Sequence, residues 1–239
     1  MAEWFESWFD DDYLALYPHR NEAEAERHVA LIERMVRGLT VNRVLDLACG
    51  SGRHTRSLSD RWWTTGLDLS EALLERARES DLATPLVRGD IRELPFRDGT
   101  FDLVVNLFTS FGYFDTDAEH RAVIKDVGRA TAAGGTFILD FLNADLVERT
   151  LVPYDRKENE GRIVEQRRSI EDGRFIVKRI SIDGEDREFV ERVRLYSLEE
   201  LRAMLRNDGG FTISEEFGDY EGSSFTEESP RLILVGRRR

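Results

Sequence analysis

Cysteine is almost absent from this chain of 239 residues: Cys49 is the only one. A lone thiol excludes an internal disulfide, and four scattered histidines show no metal-ligand spacing. The expectation is a reducing, cytoplasmic setting. No apolar run approaches the length needed to span a bilayer, so no membrane partner is expected. The opening stretch MAEWFESWFDDDYLALYP lacks the basic region and long apolar run of a signal peptide. Positive charge is also short, with 34 Lys and Arg against 47 Asp and Glu and a net charge of −13. Such a field repels phosphate backbones and argues against nucleic acid as the substrate. The tail Arg237-Arg238-Arg239 is the one obvious basic cluster and reads as a solvated end.

What is present suits a folded enzyme-sized domain. A hydrophobic fraction of 41% supports a core and 34% charged residues make a soluble surface. This length predicts one domain, or one domain with a small subdomain.

The chain is organised around Val44-Leu45-Asp46-Leu47-Ala48-Cys49-Gly50-Ser51-Gly52-Arg53-His54. A branched apolar strand ends in an acid, turns on two glycines and enters a polar segment that can open a helix. Glycine accepts positive φ and lets a ligand approach bare backbone. Open α/β sheets bind ligands at such carboxyl ends of parallel strands. The dinucleotide fingerprint needs a third small residue for helix–strand packing, and Thr55 stands there instead. An acid at the strand end does little for a pyrophosphate but suits an ammonium. Both points disfavour an NAD-binding oxidoreductase. Asp68 follows about twenty residues on, where an acid pairs with ribose hydroxyls in nucleoside-binding units. Cys49 reads as a small buried residue rather than a nucleophile.

The string DLACGSG resembles motif I of the class I S-adenosylmethionine (SAM)-dependent methyltransferases, and DIRELPF resembles the segment after that family's third strand. The resemblance covers 40–145 well and 197–239 by pattern. It implies an α/β fold: a seven-stranded, mostly parallel, doubly wound sheet with a C-terminal antiparallel hairpin. It implies SAM as cofactor and S-adenosylhomocysteine as product. Asp46, Ala48, Gly50 and Gly52 would then lie at the amino acid end of SAM. Asp68 and Leu69 would lie at the ribose, and Asp90 and Ile91 at the adenine. Asn106 ends the fourth strand, where the methyl group should point. Phe108 and Tyr113 in the following LFTSFGYF, with Tyr13 and Tyr17 from the N-terminal segment, are the candidate substrate wall. Its aromatic rings, Phe111 and Phe114 among them, suit an alkyl ammonium or simply the core. The Pro-Pro of the branches that methylate DNA and protein amino groups is missing after Asn106. For a general base the residues leave His19, His54 and Tyr113 open.

Periodicity organises the rest. Asn21 caps a helix, and Ser197 with Glu200 caps another. Asp172-Gly173 and Asp183-Gly184 predict hairpins joining three antiparallel strands, about 162–170, 174–182 and 187–196. The expected organisation is a SAM-binding domain of residues 1–149 and 197–239, with 1–39 as a helical lid and 150–196 as an inserted antiparallel sheet. Residues 219–230 read as a flexible acidic loop. The expected activity is methyl transfer to N or O of a small molecule, by a monomer or homodimer. The alternatives are a non-catalytic SAM- or nucleoside-binding module, or a methyltransferase acting on protein or RNA.

Overall fold

The computed structural model describes residues 3–6, 8, 9, 21–79, 84–159, 161–184 and 188–239. The candidates Tyr13, Tyr17 and His19 lie outside the described residues. Two sheets account for all eleven strands described. Seven form one sheet: β1 (Arg43–Leu47), β2 (Trp63–Asp68), β3 (Leu86–Arg88), β4 (Phe101–Asn106), β5 (Thr131–Leu142), β10 (Phe211–Phe217) and β11 (Arg231–Arg238). Their order is β10-β11-β5-β4-β1-β2-β3. β1 to β5 are parallel, and β11 runs antiparallel between β5 and β10. This is the expected doubly wound sheet with its closing hairpin.

Alternation along the central strands sorts side chains between two cores, as a period of two requires. Val104, Phe137, Leu139, Leu232 and Leu234 face one side. The helices α4 (Asp117–Ala130) and α6 (Leu198–Asn207) cover that side with Val123, Val127, Leu201 and Leu205. Val44, Val105, Ile138 and Ile233 face the other, under Val29 and Ile32 of α1 (Glu22–Met35) and Leu58 of α2 (Arg53–Ser59). The short helix α3 (Glu71–Glu79) buries Leu73, Leu74 and Ala77. Asn21 caps α1 by accepting the Glu24 amide, while α4 and α6 start with full capping boxes at Thr116/Glu119 and Ser197/Glu200.

The second sheet has four antiparallel strands, not the expected three: β6 (Tyr154–Asn159), β7 (Arg162–Glu171), β8 (Phe175–Ile182) and β9 (Glu188–Arg194). β6 was missed because YDRKEN shows no apolar alternation; it is an edge strand held by pairing with β7. A helix, α5 (Ala144–Thr150), precedes it, capped by Asn143. Trp8 is buried against Val164, Ile180, Ile182 and Phe189 of this sheet, and its Nε1 donates to Glu191 at 3.1 Å. Residues 219–230 are not the loose loop expected. Asp219 accepts three successive backbone amides, and Asn143 donates to the carbonyls of Glu227 and Ser229.

Candidate active site at the strand tips

The sheet order reverses between β1 and β4: from β1 the chain winds outward to β2 and β3, then returns to the other flank for β4. The crevice at such a reversal is where open α/β sheets take ligands. The glycine loop stands at that point, and its backbone is strongly bent. Gly50 and Gly52 have φ of 56° and 79°, and Ala48 joins them at 59°. Gly52, at the N-cap of α2, is left-handed where a side chain is strained. Gly66 beneath the loop is needed for space, since a Cβ there would lie 2.9 Å from Cys49 Sγ.

Neighbouring strands lie about 4.8 Å apart, so β4, β1, β2 and β3 present their tips as a row. Asp46 is buried on the α2 side of β1 and accepts from Thr55 Oγ1 at 2.6 Å. Thr55, the residue that broke the dinucleotide fingerprint, therefore orients the strand-end acid. Burial pushes the Asp46 carboxyl up to about 6; the Thr55 donation opposes this and the nearby Asp68 adds to it. Asp68 is buried too, and its two oxygens are divided. Oδ2 accepts the Gly50 amide at 2.7 Å and Oδ1 the Ser70 amide at 2.8 Å. Burial raises its pKa against those donations. The acid of β2 thus fixes the glycine loop of β1. Asn106 at the tip of β4 donates from Nδ2 to the Leu47 carbonyl at 2.8 Å, while its buried Oδ1 has no partner among the described residues.

Asp90 and Ile91 are half-buried just past β3, and Leu69 is half-buried past β2. Both Asp90 oxygens accept from Arg92. Trp4, Phe9, Leu69, Ile91 and Tyr113 each pack against the core beneath. The Trp4 and Phe9 rings lie 5.0 and 5.7 Å from that of Tyr113, and Trp4 Nε1 donates to the Tyr113 carbonyl. Of the aromatic residues after β4, Phe111 and Phe114 are core; Phe108 and Tyr113 are half-exposed.

His54 does not stand alone. It is buried, and its Nε2 lies 3.0 Å from Nδ1 of His28. Burial, with Arg53 and His28 beside it, holds its pKa well below the usual histidine range; burial lowers His28 to about 4. The pair is neutral and shares one proton between the facing nitrogens. The His28 ring stacks on Tyr220 at 3.5 Å, and the Tyr220 hydroxyl reaches Asp140. Asp140 is fully buried and also accepts the Phe108 amide at 2.7 Å and Arg231 Nε at 2.7 Å. Arg231 goes on to Thr109 Oγ1. These bonds hold Phe108 and Thr109, both left-handed at φ 63°. The guanidinium groups of Arg53 and Arg231 lie 4.7 and 5.6 Å from the Phe108 ring. Sequence reading missed His28, Asp140, Tyr220 and Arg231. The one available signal was an acid inside the apolar strand FILDF.

Comparison with known proteins bears on the fold and the family. A family described as a methyltransferase domain matches residues 44–135. A dTDP-3-amino-3,4,6-trideoxy-alpha-D-glucopyranose N,N-dimethyltransferase from Streptomyces venezuelae is 32% identical over 133 residues, 49% of this chain and 55% of that one. The chain thus spans about half the length of that curated relative. A SAM-bound amino pentose methyltransferase from Micromonospora echinaspora, involved in calicheamicin biosynthesis, superposes with a TM-score of 0.72 at 27% identity, covering 96% of this chain and 97% of that one. A SAM-dependent methyltransferase from Clostridium acetobutylicum shares the fold, with a TM-score of 0.81 at 21% identity over 95% and 98% of the two chains.

Proposed function

Residues 44–135 of this chain are a methyltransferase domain of the class I SAM-dependent fold, and from that premise we propose that the protein moves a methyl group from SAM to a nitrogen of a small molecule, an amino sugar being the first class to try. The observation that carries the reading is the orphaned Asn106 Oδ1 at the tip of β4, next to the strand whose tip carries Asp46. A buried acceptor without a donor costs about 1–3 kcal/mol. An ammonium supplies that donor and favours the ionised form of a carboxyl that burial has pushed up to about 6. A pyrophosphate would do neither.

Asp46, Ala48, Gly50, Gly52 and Asn106 would hold the amino acid end of the cofactor. Asp68 and Leu69 would hold the ribose, and Asp90 and Ile91 the adenine. When bound, SAM supplies a methyl group on a sulfonium that is already an activated leaving group. Alignment and exclusion of water remain for the protein, and these can supply roughly 7–11 kcal/mol. Phe108, fixed by Asp140, and Tyr113, packed under Trp4 and Phe9, would line the acceptor side. An amine sheds its proton to water, so the neutral His28–His54 pair need not act as the base. The relative that is an N,N-dimethyltransferase of an amino sugar supports nitrogen over oxygen.

The test is methyl transfer from isotopically labelled SAM to a panel of nucleotide-linked amino sugars, simple amines and matched hydroxyl analogues. Label in the amines with none in the hydroxyl analogues is expected. Transfer to the hydroxyl analogues alone would overturn the nitrogen assignment.

A further inference from the structure

Tyr113 stands between two peptide groups that are each fixed from outside its own loop. In the first, the Gly112 carbonyl accepts the amide of Arg194, at the end of β9, at 2.8 Å. In the second, the Phe114 amide donates to Nε2 of His120 on α4 at 3.2 Å. His120 is fully buried, and its Nδ1 lies 2.9 Å from the Tyr196 hydroxyl. That hydroxyl donates to Asp117 Oδ1 at 2.9 Å, and Arg194 Nε reaches the same oxygen at 3.3 Å. Arg194 Nη2 continues to Glu200, in the capping box of α6, at 3.0 Å. The loop after β4, the first turn of α4, the end of the inserted sheet and the start of α6 therefore converge behind Tyr113.

The proton order in this network is fixed. A backbone amide can only donate, so His120 Nε2 carries a lone pair. Burial lowers the His120 pKa to about 4, so the ring holds one proton, and it sits on Nδ1. Nδ1–H then donates to the Tyr196 oxygen, which leaves the Tyr196 proton for Asp117. Burial opposes the ionised form of Asp117, but the donations from Tyr196 and Arg194 prevail and lower its pKa. Each donor from Phe114 to Asp117 thus meets one acceptor. The opposite tautomer would set an N–H of His120 against the N–H of Phe114.

We propose that His120, held in its Nδ1–H tautomer by Tyr196 and Asp117, is a positioning residue for methyl transfer: it fixes the peptide after Tyr113 and so sets where that ring stands on the acceptor side of the site. Arg194 fixes the peptide before it, which couples the inserted sheet to the same ring. This rests on the methyltransferase reading given above and extends it to a buried network behind the acceptor wall.

NMR of protein labelled with nitrogen-15 in the imidazole rings reads the tautomer, and the His120→Gln spectrum shows which of the chain's four histidines is His120. A protonated Nδ1 with an unprotonated Nε2 is expected in the wild type at neutral pH. Tyr196→Phe should lose that fixed pattern, although its ring still packs on Phe111 and Phe141. Methyl transfer is followed with the amine of the panel above that the wild type labels fastest. His120→Leu should raise KM for that amine about tenfold, the worth of one lost hydrogen bond, and leave the affinity for S-adenosylhomocysteine unchanged by calorimetry. His120→Gln returns an acceptor and should recover most of the loss. Tyr196→Phe should raise KM in the same direction as His120→Leu. A wild-type ring protonated on Nε2, or His120→Leu and Tyr196→Phe variants with the wild-type KM, overturns the inference and leaves the cofactor reading intact. Variants that lose S-adenosylhomocysteine affinity in proportion to the rise in KM have suffered general damage to the fold, and that result overturns it too. A wild type that labels no amine overturns the proposed function, and the positioning role falls with it, whereas the ring-nitrogen signals are unaffected.

Discussion

The Tyr220 hydroxyl donates to the buried carboxylate of Asp140 at 2.6 Å across 80 residues of sequence. The link ties the loop before β11 to the tip of β5. Through the Phe108 amide on the same Asp140 oxygen, it also ties that loop to the turn after β4. Asp140 shares its strand face with Ile138, so the acid lies on the α1 side, where His28 stacks on Tyr220.

Asp140→Ala should therefore be among the most destabilising single changes in the molecule. It leaves the half-buried Arg231 without its carboxylate and the Phe108 amide and Tyr220 hydroxyl without their acceptor, which together cost about 3–5 kcal/mol. Tyr220→Phe removes one donor and keeps the stack, so about 1 kcal/mol is expected. Urea unfolding of both variants measures the difference. Equal stabilities would show that the carboxylate does not hold the turn.

Asp46 predicts a direction for pH dependence. Its carboxyl is raised from 3.8 to about 6 in the folded chain, chiefly by burial. Between those values the folded protein keeps a proton that the unfolded chain has lost. Stability from this group is thus present at low pH and lost as pH rises through about 6, by about 3 kcal/mol in all. A cation bound beside Asp46 reverses the preference, so SAM binding near pH 6 should release a proton. Calorimetry in buffers of differing ionisation enthalpy detects that release. The release should vanish in Asp46→Asn.

Asp68 uses one oxygen for the Gly50 amide and the other for the Ser70 amide. Asparagine has a single acceptor oxygen, so Asp68→Asn must leave one amide unserved. A stability loss of about 1–3 kcal/mol is expected, together with about tenfold weaker SAM binding. Asp68→Ala frees both amides and should be worse on each count. If both variants kept wild-type affinity, the ribose assignment would have to be dropped.

Cys49 is buried, and burial pushes its thiol well above the ordinary value. Native protein should resist a thiol reagent until it unfolds, whereas fast labelling of the folded chain would contradict the burial. Cys49→Ala should keep SAM affinity.

Much of this was readable in advance, for physical reasons. Apolar alternation and the glycine turn locate β1, β2 and β4, and a parallel sheet brings Asp46, Asp68 and Asn106 to one edge whatever the loops do. Sequence reading fails where the partner is far away. Arg231 meets Asp140 across 91 residues, and the register that pairs Ile233 with Asp140 cannot be read from either strand alone. The polar, Gly- and Ser-containing stretch 219–230 reads as mobile by composition, yet Asp219 gathers its amides into a fixed turn. The pairing of His54 with His28 belongs to the same class. It depends on α1 and α2 packing side by side, and it changes a candidate base into half of a neutral pair.

A calorimetric titration with S-adenosylhomocysteine and NAD, run side by side on the intact chain, bears on the ligand most directly. Saturable one-to-one binding of S-adenosylhomocysteine, with no heat from NAD, is the result expected of strand tips that carry two buried acids and an unpaired amide oxygen. Uptake of NAD, with indifference to S-adenosylhomocysteine, would contradict it.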